Sequence, residues 1–187
     1  MRKHTKIEKA DLKVARKAAP ARRSLPVRWL GALSELADQP PLISFCAGMF
    51  AVGLVTRNRR LASAGGRMLA AELLATGLKS QIKHRVDRTR PRVVHDGKPY
   101  RFGKGENHAS GVNSFPSGHT AGAVAVARAY VRDYPEHRAL AYGAAAAVAA
   151  IQIPRCQHYP SDLAAGAAVG LAAEAAVHRA EGLLAAK

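Results

Sequence analysis

Residues 39–56 (QPPLISFCAGMFAVGLVT) run for 18 positions without a charge. Nothing in such a stretch favours water, so it predicts a helix buried in a bilayer or in a protein core. It is the best membrane-span candidate in the chain, although short for one. The polar run Thr56-Arg57-Asn58-Arg59-Arg60 closes it. A second predicted helix covers 61–83. Its Arg67 and Glu72 either face a bundle interior or pair with each other at near-helical spacing. Helical patterns follow at 116–131, ended by Asp133, Tyr134 and Pro135, at 139–154, and at 160–179. In the last of these, Gly166 and Gly170 stand at a small-x-x-x-small spacing that permits close helix contact. Abundant alanine and glycine with only 5% aromatic residues suit closely packed helices and exclude an all-β sandwich. No strand pattern and no internal repeat stands out. The chain reads as all-α, a helical bundle with five or six membrane helices. A soluble bundle is the alternative, because alanine is only weakly apolar and the mean hydropathy is −0.12.

Charge divides the chain into two parts. Residues 1–27 form a basic N-terminal arm, broken by Pro20 and Pro26, with a predicted helix at 6–17. Up to Arg28 it carries ten Lys or Arg against Glu8 and Asp11, which is half of the net charge of +16. Such an arm is attracted to an anionic surface, and a membrane surface is favoured over nucleic acid because of the apolar runs that follow. No specific nucleic-acid partner is expected. The basic start is not followed at once by an apolar core, so no secretory signal peptide is expected. Residues 28–187 form the helical domain. Within it, 27–37 (VRWLGALSELA) predicts an interfacial helix with Trp29 and Leu30 at a membrane boundary. A polar loop, 92–115, separates the second helix from the third, and long loops of this kind are usually functional. Of the two cysteines, Cys46 reads as a small core residue, and a disulfide with Cys156 is not expected.

Three separated clusters carry chemistry. Lys83 and Arg90 are cations seven residues apart, able to share one helical face if the helix continues, and suited to neutralising phosphate oxygens. Pro91 works against a helix at that point. Pro116-Ser117-Gly118-His119 places a proline and a capping serine at a helix start, where free N–H groups and the dipole favour an anion. Gly118 lets an oxyanion approach the backbone, and His119 stands beside it as a proton donor. In isolation the four residues read equally as a plain helix start. His158-x3-Asp162 offers an imidazole able to attack phosphorus and a carboxylate to fix its tautomer. Asp162 alone is also a helix-start acid.

Together the three clusters resemble, in order, spacing and residue type, the signatures of the type 2 phosphatidic acid phosphatase superfamily, to which the vanadium haloperoxidases are related. Lys83-x6-Arg90-Pro91 is similar to the first, Phe115 to His119 to the second, and His158-x3-Asp162 to most of the third. The motifs cover about residues 79 to 170. The resemblance implies that His158 is the nucleophile of a phosphohistidine intermediate, that Asp162 orients it, and that His119 protonates the leaving group. Lys83, Arg90, Ser117 and the Gly118 backbone then hold the phosphoryl oxygens. No cofactor and no metal is implied, and His84, His95 and His108 do not form a ligand set at zinc-like spacing. The third signature normally carries Ser-Arg where this chain has Ile151 and Gln152. Gln152 is left as a neutral donor, and Arg155, three residues on, is a candidate to restore the missing charge.

The expected function is hydrolysis of a phosphomonoester or pyrophosphate on a membrane lipid by a multi-pass protein of the cell membrane. Phosphatidate, phosphatidylglycerophosphate, polyprenyl pyrophosphates and a lipid A phosphate all remain open, as do the side of the membrane the site faces and the oligomeric state. The alternatives are a soluble acid phosphatase or haloperoxidase with the same site, or a basic membrane- or nucleic-acid-binding protein whose catalytic site has decayed.

Overall fold

The structure is a computed structural model that describes residues 4–105 and 109–186. Among the described residues eight α-helices run in the order α1 (Lys6–Ala18), α2 (Leu25–Ser34), α3 (Gln39–Val55), α4 (Arg59–Lys83), α5 (Pro91–His95), α6 (Gly118–Asp133), α7 (Arg138–Ile151) and α8 (Pro160–Ala185). The expected all-α bundle is present. Two short strands, β1 (Val86–Arg88) and β2 (Phe102–Lys104), pair antiparallel with Arg88 opposite Phe102. They correct the expectation of no strand. Three residues are too few to show the alternation by which a strand is read.

Helix α4 is the centre of the bundle, packed on α3, α6 and α8, and α6 also packs on α7. The core is mostly alanine: Ala64, Ala71 and Ala75 from α4, Ala125 and Ala129 from α6, and Ala173 from α8, with Leu42 and Cys46 from α3, Met68 from α4 and Val126 from α6. Small residues let the helices approach closely. A Cβ added to Gly166 would lie 2.5 Å from the Ser117 carbonyl oxygen, and one on Gly170 would strike the Ala121 carbonyl. Both cysteines are free and buried. Arg67 and Glu72 do not pair. Arg67 bridges Asp133 (3.2 Å) and Glu181 (2.9 Å), whereas Glu72 is buried and accepts from the Thr76 hydroxyl at 3.1 Å. Arg128 and Arg132 of α6 both pair with the buried Glu174 of α8.

Among the described residues no single helix is both long and apolar enough to cross a membrane. The pair Leu25–Ala37 and Gln39–Val55, bent by 54° at Asp38, passes that test together. Pro40 and Pro41 sit in the first turn of α3, where a missing N–H costs nothing, and this fixes the bend. The expected interfacial segment is α2 with the 3-10 turn after it. Its Trp29, Leu30, Leu33 and Leu36 are exposed, as are Phe45 and Val55 of α3.

The N-terminal arm is not a loose tail. Thr5 and Glu8 form a reciprocal cap, Glu8 Oε2 accepting from the Thr5 N–H at 2.8 Å. Helix α1 buries Glu8, Asp11 and Ala15 and leaves Lys6, Lys9, Lys13, Arg16 and Lys17 exposed. It packs against α8 and α5.

Candidate active site

Helix α4 ends at Lys83, and the chain then turns into β1. Lys83 and Arg90 therefore do not share a helical face, in line with the break expected at Pro91. Arg90 instead occupies the cap position before Pro91 in extended conformation (φ −65°, ψ 147°), as the residue before a proline prefers. The two cations still converge. Lys83 Nζ donates to the Asn113 carbonyl at 3.3 Å, and Arg90 Nη2 donates to the same oxygen at 3.2 Å. Arg90 is fixed further by the Ser110 carbonyl (2.9 Å) and Gln157 Oε1 (2.7 Å). The 92–115 segment thus serves as the frame for both. Its His108 lies outside the described residues.

Ser117 caps α6, its Oγ accepting from the Thr120 N–H at 3.4 Å and the Thr120 hydroxyl at 3.0 Å. The Ser117 N–H donates to the Asp162 carbonyl at 3.0 Å, so the starts of α6 and α8 are locked together. Gly118 and His119 follow in the first turn of α6. His119 Nε2 is buried, makes no hydrogen bond, and lies 3.8 Å from Glu35 Oε2.

His158 stands in the turn between α7 and α8 and is buried. That turn is pinned at Cys156, whose backbone is left-handed (φ 56°) and whose carbonyl accepts from the Arg92 N–H at 2.9 Å. His158 Nδ1 lies 2.7 Å from the Ser114 carbonyl, and 3.8 Å from Asp162 Oδ2. The main-chain carbonyl is the nearer partner of the ring, and the expected carboxylate, Asp162, stands within ion-pair distance of the same nitrogen. A carbonyl only accepts, so Nδ1 carries the proton and Nε2 keeps the lone pair. Burial pushes the imidazole down to about 4, with Arg90 and Lys83 adding to the effect and Asp162 opposing it. The ring is neutral at physiological pH.

Asp162 itself is fully buried and accepts from the Ser114 hydroxyl (2.6 Å), the Tyr159 N–H (2.8 Å) and Arg88 Nη1 (2.6 Å). Arg88 is also fully buried and reaches Asp11 of α1 at 2.7 Å. Its guanidinium lies over the rings of Tyr159 and Phe102. Burial disfavours its charge, but Asp162 and Asp11 outweigh that and hold it more basic than usual.

Lys83, Arg90, Gly118, His119 and His158 line one cleft of about 370 Å³, together with Lys79. Ser117, Asp162, Gln152 and Arg155 are not among its lining residues. Gln152 is fully buried and donates to Ser34 Oγ (3.2 Å) and the Val148 carbonyl (3.1 Å). Arg155 donates to Ser34 Oγ at 2.7 Å and pairs with Glu35. Both side chains are therefore engaged with Ser34 and its neighbours, outside the lining of the cleft. A second, more open depression of about 340 Å³ lies beyond them, lined by Arg22, Arg28 and Arg155.

Lys79, Ser114, Arg88 and Asp11 were not singled out by the motifs. Lys79 had a signal, since it precedes Lys83 by four residues and so shares its helical face. The other three had none, because the contacts that tie them to His158 and Asp162 (Ser114 to His158, Arg88 to Asp162, Asp11 to Arg88) span 44 to 77 residues. Glu35, Asp38 and His119 bring potential metal-ligand atoms within 4.8 Å of one another, a cluster that includes neither His84 nor His95. Its Glu35 is already paired with Arg155.

The profile of the PAP2 superfamily matches residues 64–183, and the chain belongs to that superfamily. A lipid A 1-phosphatase of Rhizobium etli is 31% identical over 106 residues, 56% of this chain and 45% of that protein. The chain thus spans less than half of that relative's length. A lipid A 1-phosphatase of Rhizobium johnstonii is 27% identical over 172 residues, 86% of this chain and 68% of that protein. Among solved structures, LpxE of Aquifex aeolicus superposes with a TM-score of 0.66 at 19% identity, covering 91% of this chain and 95% of that one. A transmembrane PAP2-type phosphatidylglycerolphosphate phosphatase from Bacillus subtilis also superposes at 0.66, with 23% identity, covering 96% and 88%.

Proposed function

We propose that this PAP2-superfamily chain is a membrane phosphatase that removes phosphate from a phosphorylated lipid through a covalent intermediate on His158. The observation that carries this reading is the state of His158: its Nδ1 is held by the Ser114 carbonyl, its ring is neutral, and it lines the same cleft as Lys83, Arg90, Gly118 and His119.

In the first step the Nε2 lone pair forms a bond to phosphorus, and the bond from phosphorus to the lipid oxygen breaks. Protonated His119 delivers its proton to that oxygen. In the second step water attacks the phosphohistidine, His119 takes the proton back, and the Nε2–P bond breaks to release inorganic phosphate. Lys83, Arg90 and the N–H groups at the start of α6 hold the phosphoryl oxygens. Asp162 stabilises the positive charge that grows on His158, at 3.8 Å and without a direct hydrogen bond. Gln152 and Arg155 support Ser34 and Glu35.

Membrane residence as a multi-pass protein is part of the proposal. It is supported by the exposed apolar side chains of α2 and α3 and by the basic outer face of α1, which suits an anionic lipid surface. The relatives' names put lipid A 1-phosphate first among the substrates to test, with phosphatidylglycerophosphate next. The decisive experiment measures phosphate release in detergent from these two, phosphatidate and a polyprenyl pyrophosphate, by wild type and His158→Ala. The proposal expects release by the wild type and loss in the variant. Equal release by both would end it.

A further inference from the structure

We propose that Lys79 supplies the positive charge that the third motif of this chain lacks, as an additional ligand of the transferred phosphate. The inference rests on the reading of the cleft as a phosphatase site.

The vacancy comes first. Position 152 is glutamine, and its side chain is spent on Ser34 and Val148. Arg155 is spent on Ser34 and Glu35. Neither lines the cleft, so neither is placed to bind a phosphate there directly, although the charge of Arg155 acts on Arg90 and His119 at longer range.

Lys79 is placed to do so. It lies one helical turn before Lys83 on α4, is 6% exposed, and lines the cleft beside Gly118, His119 and His158. Its ammonium sits against the first turn of α6: a Cβ on Gly118 would fall 2.8 Å from Lys79 Nζ. Glycine at 118 therefore does more than bare the backbone to an anion, because it also leaves room for the ammonium beside that backbone. Among the described residues Nζ makes no hydrogen bond and no ion pair, although Glu72 and Asp38 act on it at longer range. A largely buried ammonium with open donors is costly unless something binds them. A phosphate oxygen held at the N-terminus of α6 would do so, and it would then meet Lys79 as well as Lys83 and Arg90, which line the same cleft. A lysine from the neighbouring helix thus takes over from an arginine in the third motif, as a point charge in place of a fork.

The test compares wild type, Lys79→Met and Lys79→Arg for kinetics on the best substrate and for inhibition by orthovanadate, an oxyanion that occupies a phosphoryl site. Lys79→Met keeps the volume and removes the charge. Vanadate affinity and kcat/KM are both expected to fall by about 10- to 100-fold, the loss expected for a charged hydrogen bond. Lys79→Arg is expected to keep most of both. Wild-type vanadate affinity and kcat in Lys79→Met would overturn the proposal, as would lower thermal stability with unchanged vanadate affinity. Should Lys79→Met not fold, Lys79→Gln gives the same reading. His158→Ala in parallel separates the two claims: if it retains activity the phosphohistidine reading fails, while the vanadate result still decides the role of Lys79.

Discussion

Asp11 of the N-terminal helix and Arg88 of the first strand meet at 2.7 Å, with both side chains at most 4% exposed. The pair is the outer end of a buried series. Arg88 reaches Asp162 at 2.6 Å, Asp162 accepts from the Ser114 hydroxyl at 2.6 Å, and the Ser114 carbonyl takes the His158 Nδ1 proton at 2.7 Å. Asp11 also accepts from the Ser161 N–H at 3.1 Å. The most basic stretch of the chain is thus attached through one of its few acids. Helix α1 turns its acids inward and its lysines outward, which joins a cationic surface to the frame of the cleft.

Replacing Asp11 with alanine leaves Arg88 buried with Asp162 as its remaining carboxylate partner. Breaking a buried pair from one side is expected to cost about 3 kcal/mol, the low end of the usual range, because Asp162 stays. Lys13→Ala on the exposed face of the same helix is expected to stay within about 0.5 kcal/mol of wild type. Denaturant unfolding of both in detergent checks this. Equal stability of the two variants would show that the Asp11–Arg88 contact holds nothing.

The depressed basicity of His158 gives a pH prediction with a definite sign. The ring titrates near 4 in the folded protein instead of 6.5. The nitrogen proposed to attack phosphorus stays available in mild acid, so the acid limb of kcat/KM due to His158 is expected near pH 4. Between pH 6.5 and 4 the unfolded chain binds a proton that the folded protein refuses. Stability therefore falls as pH drops through this window and levels off below it. His158→Gln is expected to remove that part of the slope. Unfolding midpoints at pH 7.5 and pH 4.5 for both proteins measure it, and an unchanged slope in the variant would exclude His158 as its source.

Much of this arrangement was legible before any coordinates. Charge-free and alanine-rich runs mark α3, α4, α6, α7 and α8, because an apolar surface must be buried wherever it ends up. The motifs mark Lys83, Arg90, Gly118, His119 and His158, because phosphate chemistry uses few residue types. What stayed hidden is main-chain chemistry and partners distant in sequence. A backbone carbonyl holds His158, and no side-chain pattern announces a carbonyl. Asp162 faces Arg88, whose second partner is Asp11. The inward face of helix α1 stayed unread in the basic arm because it carries Glu8 and Asp11, and apolar periodicity does not report a face built on hydrogen bonds and ion pairs. Gln152 and Arg155 misled for a similar reason: spacing tells which residues are near a motif, not which way they turn.

That difference in direction separates Arg90 from Arg155. Arg90 lines the cleft, and on the proposed mechanism its loss removes charged hydrogen bonds to the phosphate, so Arg90→Ala is expected to lower kcat/KM by about 10- to 100-fold. Arg155 pairs with the half-exposed Glu35. A pair of that kind is worth up to about 1 kcal/mol, so Arg155→Ala is expected to stay within about fivefold of wild type. Steady-state kinetics of the two variants decide it. A loss in Arg155→Ala as large as in Arg90→Ala would mean that Arg155 reaches the phosphate after all.

Gly166 tests whether helix contact sets the geometry of the cleft. An added Cβ there would stand 2.5 Å from the Ser117 carbonyl and 3.2 Å from Thr120 Cβ, both in the turn that presents Gly118 and His119. The same turn is tied to Asp162 by the Ser117 N–H. Gly166→Ala must push α8 away from the start of α6, and His158 and His119 ride on opposite sides of that contact. Overpacking of this kind is expected to cost about 1–3 kcal/mol in stability. The effect on rate is expected to be larger, about 100-fold in kcat, because a displacement of about 1 Å between reacting groups is enough for that. Gly182, farther along the same helix, has open space where its Cβ would go. Gly182→Ala is therefore expected to gain about 0.5–1 kcal/mol from the reduced freedom of the unfolded chain, with kcat unchanged. Opposite signs in stability for two identical substitutions on one helix, with kcat falling only in Gly166→Ala, would establish the α6–α8 contact as a determinant of the site. Matching signs would remove it.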